Sequence, residues 1–213
     1  MRLNQALEKE AGAMLCNASD KGDVHVVRLL IEKFPDQINA KDHDKDTPFI
    51  LASNMGHKKI VTMLLEQPKI AINAQGNDGM TGFMHACDQG YTGLAKAIFE
   101  RRADLDVTLK DRDGDTAIIL AVSNKDLELV RLILQRKEVD VEAKNTDDES
   151  ARSIATKFRK KAQVDKDIMA LIAAHPSYQA KPPAPAQQAE ASKPRRGPGR
   201  PRKTPTPGAA PGV

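Results

Sequence analysis

The chain has 213 residues, of which 40% are hydrophobic and 3% aromatic, and it contains no Trp. A core limited to Leu, Ile, Val, Met and Ala favours closely packed helices over a β-sandwich or a barrel. The net charge of +4 is unevenly distributed: residues 176–213 carry seven Lys and Arg against one acid, a charge of +6, so the rest of the chain is near −2 (4 minus 6).

The N-terminal residues indicate neither a signal peptide nor a membrane anchor. Residues 1–5 lead into a charged segment, and no run approaches the roughly 18 apolar residues that a membrane helix needs. Cys16 and Cys87 are isolated and form no Cys-x-x-Cys motif, which predicts buried, reduced thiols. We therefore expect an intracellular protein, cytoplasmic or in the nucleus or nucleoid.

Five segments of the chain repeat the same residue types at intervals of 34 or 35 positions. Each segment has an anchor residue, with an alanine five positions later. The anchors are Ala13, Thr47, Thr81, Thr116 and Ser150, and the alanines are Ala18, Ala52, Ala86, Ala121 and Ala155. Glycine stands nine positions after the first three anchors, and Lys125 replaces it in the fourth repeat. A recurring set of this length predicts a solenoid of stacked repeats.

Each recurring residue has a physical role in a pair of helices. The Thr47 hydroxyl can cap a helix that begins at Pro48, and the small alanine lets two helices approach closely. A glycine such as Gly56 can adopt the left-handed conformation between the two helices. The apolar pairs Ile60–Val61 and Leu64–Leu65 then place one apolar stripe on the second helix.

The ends of the solenoid are predicted to be caps. Around residues 165–174 the last helix carries Ile168, Leu171 and Ile172 on one face with charges opposite, as expected of a terminal repeat. A charged run with Arg159 at the turn position precedes it. The segment 4–13 is expected to play the same part at the N-terminus.

Two segments resemble the ankyrin-repeat signature. These are Asp46–Ala52, followed by Gly56-His57, and Asp113–Ala121. The resemblance implies an all-α solenoid of about five helix-turn-helix repeats, joined by hairpin fingers whose Asp, Asn and Gly residues favour tight turns. The implied repeat domain covers residues 1–175, with repeats at about 5–41, 42–75, 76–109, 110–144 and 145–175.

The resemblance also places partner binding on the concave side, formed by the fingers and the exposed face of each first helix. The predicted partner-binding residues are His43, Lys45, Leu51, Met55, Asn77, His85, Gln89, Arg112, Leu120 and Asn124. An apolar strip of Leu51, Met55 and Leu120 among polar residues is typical of a partner site. The alternative is that these three side chains pack between repeats.

Catalysis receives little support from the sequence. The histidines are scattered over different repeats, and His85 and Cys87 are two residues apart on a helix, so they point in different directions. No phosphate loop or nucleophile elbow is present. We predict a non-enzymatic chain without a metal site or cofactor, and we expect a monomer.

Residues 176–213 differ in composition from the repeats, because they hold ten of the 13 prolines. Such a segment is predicted to be disordered. Its basic run resembles an AT-hook, a segment that enters the minor groove of A·T-rich DNA. The residues concerned are Arg195, Arg196, Gly199, Arg200, Pro201, Arg202 and Lys203. Pro198 stands where the hook pattern has an arginine, so an import signal or a solubilising tail are alternatives.

Two functions follow from these features. The first is a protein-protein interaction scaffold that binds a partner protein on the concave ankyrin surface. The second is an adaptor tethered to A·T-rich DNA through the hook-like motif. The sequence does not identify the partner protein.

Overall fold

The structure is a computed structural model that describes residues 2–157 and 163–178. Within those residues it has ten α-helices, one 3₁₀ turn at Pro35–Gln37 and no β-strand. The helices are α1 (Arg2–Lys21), α2 (Val24–Lys33), α3 (Pro48–Asn54), α4 (Lys58–Leu65), α5 (Gly82–Asp88), α6 (Thr92–Arg101), α7 (Ala117–Ser123), α8 (Leu127–Ile133), α9 (Ala151–Lys157) and α10 (Gln163–Ala174). The predicted all-α fold is confirmed.

The helices form two layers of stacked pairs. The first helices of the pairs, α1, α3, α5, α7 and α9, pack on one another in succession. The second helices, α2, α4, α6, α8 and α10, do the same in the other layer. Each first helix also packs against the second helix of its own pair. This arrangement is a solenoid, in which each repeat buries its apolar surface against its neighbours.

Threonine caps begin two of the first helices, as the sequence predicted. Thr47 Oγ1 accepts a hydrogen bond from the backbone N of Ile50 at 3.3 Å, and Thr81 Oγ1 accepts one from Met84 N at 3.2 Å. Thr116 occupies the same position before α7, but its buried hydroxyl has no such bond within the described residues. Ser150 makes the same cap before α9, where its Oγ accepts a hydrogen bond from Ser153 N at 3.2 Å. The cap is therefore a feature of three repeats and not of every repeat.

The turn between the two helices of a repeat uses the left-handed backbone conformation. Gly22, Gly56 and Gly90 have φ angles of 78°, 72° and 68°. Lys125 takes the same conformation with φ of 56°, which costs a residue with a side chain about 1 kcal/mol or more. Its ammonium group lies 2.9 Å from the Asp165 carboxylate, so the residue that departs from the pattern makes an ion pair with α10.

The alanine column lies at the centre of the first layer. All five alanines are buried, at Ala18, Ala52, Ala86, Ala121 and Ala155. Side chains of this size allow successive first helices to approach closely, and the apolar stripe of each second helix closes the core from the other side. In the third repeat that stripe is Leu94, Ala95, Ile98 and Phe99, all buried. Phe49 and Phe83 are also buried, so the prediction of a core without aromatic side chains is wrong.

The N-terminal end is one long helix, in which the predicted cap segment 4–13 continues directly into the first helix of repeat one. Leu7, Met14 and Leu29 are large apolar side chains exposed there. The residues at the position of Met14 in the later repeats are buried, and they are Pro48, Gly82, Ala117 and Ala151. At Gly82 the neighbours are Phe49 and Ser53 of the preceding repeat. Met14 is 51% exposed because no described residue covers that position.

The C-terminal repeat is α9 and α10, with Ile168 and Ile172 fully buried. His175 Nε2 lies 3.2 Å from the Arg136 carbonyl oxygen, and the Arg152 guanidinium lies over the Tyr178 ring at 4.6 Å. The packing of this repeat therefore extends to residue 178. The charged run predicted around Arg159 falls outside the described residues.

Candidate protein-interaction surface

Tight turns, here called fingers, join each helix pair to the next. In the first finger, Asp42 Oδ1 accepts hydrogen bonds from the backbone N of Asp44 at 2.9 Å and of Asp46 at 2.8 Å. Asp111 and Asn145 make the same two bonds in the third and fourth fingers. One side-chain oxygen thus satisfies two backbone donors and fixes the turn. The four fingers are residues 41–46, 75–80, 110–115 and 144–149.

The second finger has Gly76 where the other three have Asp or Asn. A Cβ atom at Gly76 would overlap Oδ1 of Asp46 in the first finger, so no larger residue fits while Asp46 keeps its position. The backbone N of Gly76 donates to Met80 O at 3.1 Å, and Met80 N donates to Asp78 Oδ1 at 2.9 Å. This turn is closed without the side-chain oxygen that the other fingers use.

Backbone hydrogen bonds join the fingers to one another. In each case a backbone N of one finger donates to a carbonyl oxygen of the finger before it. The bonds are Asn77 N to Asp44 O at 2.8 Å, Arg112 N to Asp78 O at 2.9 Å and Thr146 N to Asp113 O at 2.8 Å. The fingers therefore form one continuous row beside the first helices. We call the row, together with the exposed side of the first helices, the finger surface.

A groove of about 690 Å³ lies on the finger surface, between the first finger and helices α1 and α3. Its lining residues come from all three elements and are Ala13, Cys16, Asn17, Asp20, Lys41, Asp42, His43, Asp44, Asp46 and Leu51. Leu51 is half-buried and supplies an apolar side chain to a groove that is otherwise mostly polar. Residues from two successive repeats thus meet at one site.

Negative charge dominates this groove. Four of its lining residues are aspartates, and Lys41 is the one Lys or Arg among them. His43 Nε2 lies 3.0 Å from Asp44 Oδ2. Carboxylates with so few cations beside them attract a positively charged ligand, and the half-buried Leu51 adds apolar contact area.

The Cys16 thiol lines the groove but is not a reactive group. Cys16 Sγ donates a hydrogen bond to the Ala40 carbonyl oxygen at 3.6 Å. Burial, together with the charges of Asp42 and Asp46, raises the pKa of Cys16 to about 12. Because only a thiolate is nucleophilic, this cysteine stays inert at neutral pH.

The described residues show neither a metal site nor a membrane span. No group of three or more His, Cys, Asp or Glu side chains in that part of the chain is arranged to hold a metal ion. None of the described helices is both long and apolar enough to cross a bilayer.

Comparison with known protein families decides which family these repeats belong to. Residues 4–76 and 67–147 match the family model described as ankyrin repeats (3 copies), and together they cover more than half of the chain. The chain belongs to the ankyrin-repeat family. A search of curated proteins gave no match. Helices α9 and α10 lie beyond the matched residues and stack on the ankyrin repeats in the same two layers.

The ten predicted partner-binding residues of this ankyrin protein differ in exposure. His43, Lys45, Met55, Gln89, Arg112 and Asn124 are exposed, Leu51 and Asn77 are half-buried, and His85 and Leu120 are buried. The structure brings His43 and Leu51 together in the groove, and the other eight do not line it. Asn124 also has a structural bond, because its side-chain amide donates to the Asp88 carbonyl oxygen at 2.8 Å.

His85 and Leu120 occupy the same position of the ankyrin repeat as Leu51, four residues after the anchor. His85 is 2% exposed and Leu120 is 9% exposed, whereas Met55 is 38% exposed. His85 Nε2 lies 3.5 Å from the Asp78 carboxylate within the fold. A partner could reach neither the His85 ring nor the Leu120 side chain unless a finger or a helix moved.

The groove's aspartates and Asn17 are not among the ten residues predicted from the sequence. Asp20 and Asn17 lie on α1, and Asp42 and Asp46 lie in the first finger. The density of acids in the fingers is a sequence signal for this negative charge, but the requirements of a tight turn also explain it. The hook-like residues 195–203 lie outside the described residues.

Proposed function

We propose that this ankyrin-repeat chain is a non-enzymatic interaction scaffold that binds a basic segment of a partner protein in the groove of the finger surface. Ankyrin repeats are generally protein-protein interaction modules. The observation that carries the finer proposal is the groove itself, which sets four aspartates around the half-buried Leu51. Charge complementarity of this kind gives specificity and speeds association.

The geometry favours an extended segment over a small molecule. The groove lies along a finger and between two helices, and the row of fingers continues beyond it. A partner with Lys or Arg on either side of an apolar residue would place its cations near the aspartates and its apolar side chain on Leu51. Such binding should weaken with added salt, because Asp20 and Asp44 are exposed.

The test uses the full chain as an affinity bait, compared with the variant Asp44→Lys/Leu51→Ser. The Asp44 side chain is exposed and its carbonyl oxygen makes the finger bond, so the side-chain change should leave the fold intact. The control is Glu100→Lys on the opposite layer, where Glu100 is exposed. We expect a specific protein to bind the wild-type chain and the control, and to bind the groove variant at least about tenfold more weakly.

The proposal fails if every protein retained by the wild-type chain is retained equally by the groove variant. Circular dichroism of both variants shows whether the helices are kept. Titration of the identified partner at increasing salt then measures the charge contribution.

The DNA-tethered adaptor is the second candidate function, and the sequence alone supports it. The segment Gly199–Lys203 combines a glycine, a proline and cations in the order that suits minor-groove entry.

A further inference from the structure

The second helices form the back surface of the solenoid, opposite the finger surface, and successive second helices leave grooves between them. The groove between α2 and α4 has a volume of about 520 Å³. Its lining residues are Val24, Arg28, Lys58, Lys59, Thr62 and Met63. Three of these six residues are cations and none is an acid. The fold and the proposed function leave this groove without a role.

The walls of the groove are apolar although its rim is charged. Val24 and Met63 are half-buried and pack against the hydrophobic core. Lys and Arg side chains present long aliphatic stems, which line such a groove while their charged ends stay in water. The site therefore combines space for one apolar side chain with three positive charges around it.

The three cations have no partner among the described residues. Arg28, Lys58 and Lys59 are exposed, and no hydrogen bond or ion pair involves their side chains there. The next grooves of the same layer differ. Across them, Arg101 lies 3.7 Å from Glu66, and Lys96 lies 3.9 Å from Glu128.

The first and third grooves can be compared at equivalent positions of the repeat. Lys96 and Glu128 hold equivalent positions to Arg28 and Lys59, two repeats later in the chain. The later groove thus pairs opposite charges where the first groove sets two like charges side by side. Like charges repel, and a carboxylate placed between them would convert that repulsion into attraction.

We propose that the groove between α2 and α4 binds an acidic peptide segment that carries an apolar side chain. The apolar side chain would sit between Val24 and Met63, and carboxylates on either side of it would pair with Arg28, Lys58 and Lys59. A nucleic-acid backbone would match the charges but leave the apolar walls uncovered, so a peptide fits better. The chain then offers two surfaces of opposite character, one for a basic segment and one for an acidic segment.

The probe is a fluorescein-labelled peptide of sequence Glu-Asp-Glu-Leu-Phe-Glu-Asp-Glu, titrated with the full chain and followed by fluorescence anisotropy. The groove variant is Arg28→Glu/Lys59→Glu. The matched control is Lys137→Glu/Lys166→Glu, which makes the same change of net charge at two exposed lysines away from the groove. We expect the groove variant to lower affinity at least about tenfold and the control to lower it less than about threefold.

Two further measurements separate the proposed site from general charge attraction. A peptide with Ser in place of Leu and Phe should bind at least about tenfold more weakly than the probe. Amide chemical shifts of the isotope-labelled chain should move at residues 24–33 and 58–65 when the probe is added. Equal loss of affinity in both double variants, or equal binding of the Ser peptide, would overturn the proposal.

A 20-base-pair DNA duplex serves as the competing ligand. If the duplex binds more tightly than the peptide, and Arg28→Glu/Lys59→Glu abolishes that binding, the groove recognises phosphates and the peptide proposal is wrong. Neither outcome bears on the finger-surface groove, because the substituted residues lie in the other helix layer.

Discussion

Two lysines in this solenoid adopt a backbone conformation that favours glycine. Lys45 has φ of 62° at the tip of the first finger, and Lys125 has φ of 56° between α7 and α8. The left-handed conformation costs a residue with a side chain about 1–2 kcal/mol. The two sites differ in the contacts that the lysine side chain makes. Lys125 makes an ion pair with Asp165, whose side chain is buried, and the Lys45 side chain extends from an exposed finger.

We therefore expect glycine to have opposite effects at these two positions. Lys45→Gly should stabilise the fold by about 0.5–1 kcal/mol, because relief of strain exceeds the entropy that glycine adds to the unfolded chain. Lys125→Gly should destabilise it by about 1 kcal/mol or more, because the buried Asp165 carboxylate loses a cation. The half-exposed position of Lys125 keeps this loss below that of a fully buried pair. Urea titrations of both variants measure the two changes, and equal signs would contradict this account.

At the scale of the repeat, the sequence predicted where the recurring residues lie in each helix pair but not which residues form the groove. Thr47, Ala52 and Gly56 lie where their spacing requires them, because each role is local to one helix pair. The groove could not be predicted in the same way. Asp20 and Asp42 belong to different repeats, and their meeting depends on how one pair stacks on the next.

Burial along the first helices also could not be predicted from the spacing of the residues. Residues four positions after the anchor share one place on the helix, yet Leu51 is half-buried while His85 and Leu120 are buried. Residues eight positions after the anchor, such as Met55 and Gln89, are exposed. Helical spacing alone does not separate the two positions, since side chains four residues apart lie on the same face.

The stacking position of the first helix gives a test at the scale of the element. Met14 and Ala117 are equivalent residues in repeats one and four, but Met14 is exposed and Ala117 is buried. Met14→Lys should change the free energy of unfolding by no more than about 0.5 kcal/mol. Ala117→Lys should cost about 3 kcal/mol or more, because it inserts a long charged side chain between two helices.

Thermal unfolding followed by circular dichroism compares these two variants directly. A large loss of stability in Met14→Lys would mean that something covers the N-terminal end in solution. A small loss of stability in Ala117→Lys would mean that the register assigned to the fourth repeat is wrong.

At the scale of the whole molecule, charge is divided between the repeats and the basic segment. Residues 176–213 carry +6 and the rest of the chain is near −2. A polycation of this kind attracts any phosphate backbone, with an affinity that falls steeply as salt rises. Preference for one base composition is therefore the property that would distinguish a minor-groove hook from a plain basic tail.

If the hook prediction holds, the full chain should bind A·T-rich duplex more tightly than G·C-rich duplex of equal length. Arg200→Ala should remove the preference, because Arg200 lies between Gly199 and Pro201 in the hook-like core. Lys181→Ala, in the same segment but outside the core, should weaken binding to both duplexes alike. Fluorescence anisotropy at several salt concentrations measures both effects. Equal affinity for the two duplexes would leave the segment as a plain polycation.

The contact between Gly76 and Asp46 also limits how this protein can change during evolution. A side chain at position 76 would collide with the Asp46 carboxylate, although Asp or Asn at that position helps to close each of the other three fingers. Asp or Asn at position 76 therefore requires the Asp46 carboxylate to move aside or residue 46 to become smaller. Among relatives of this sequence, we expect the two positions to vary together, and Gly76→Asn should destabilise the fold less when it is combined with Asp46→Ser than when it is made alone.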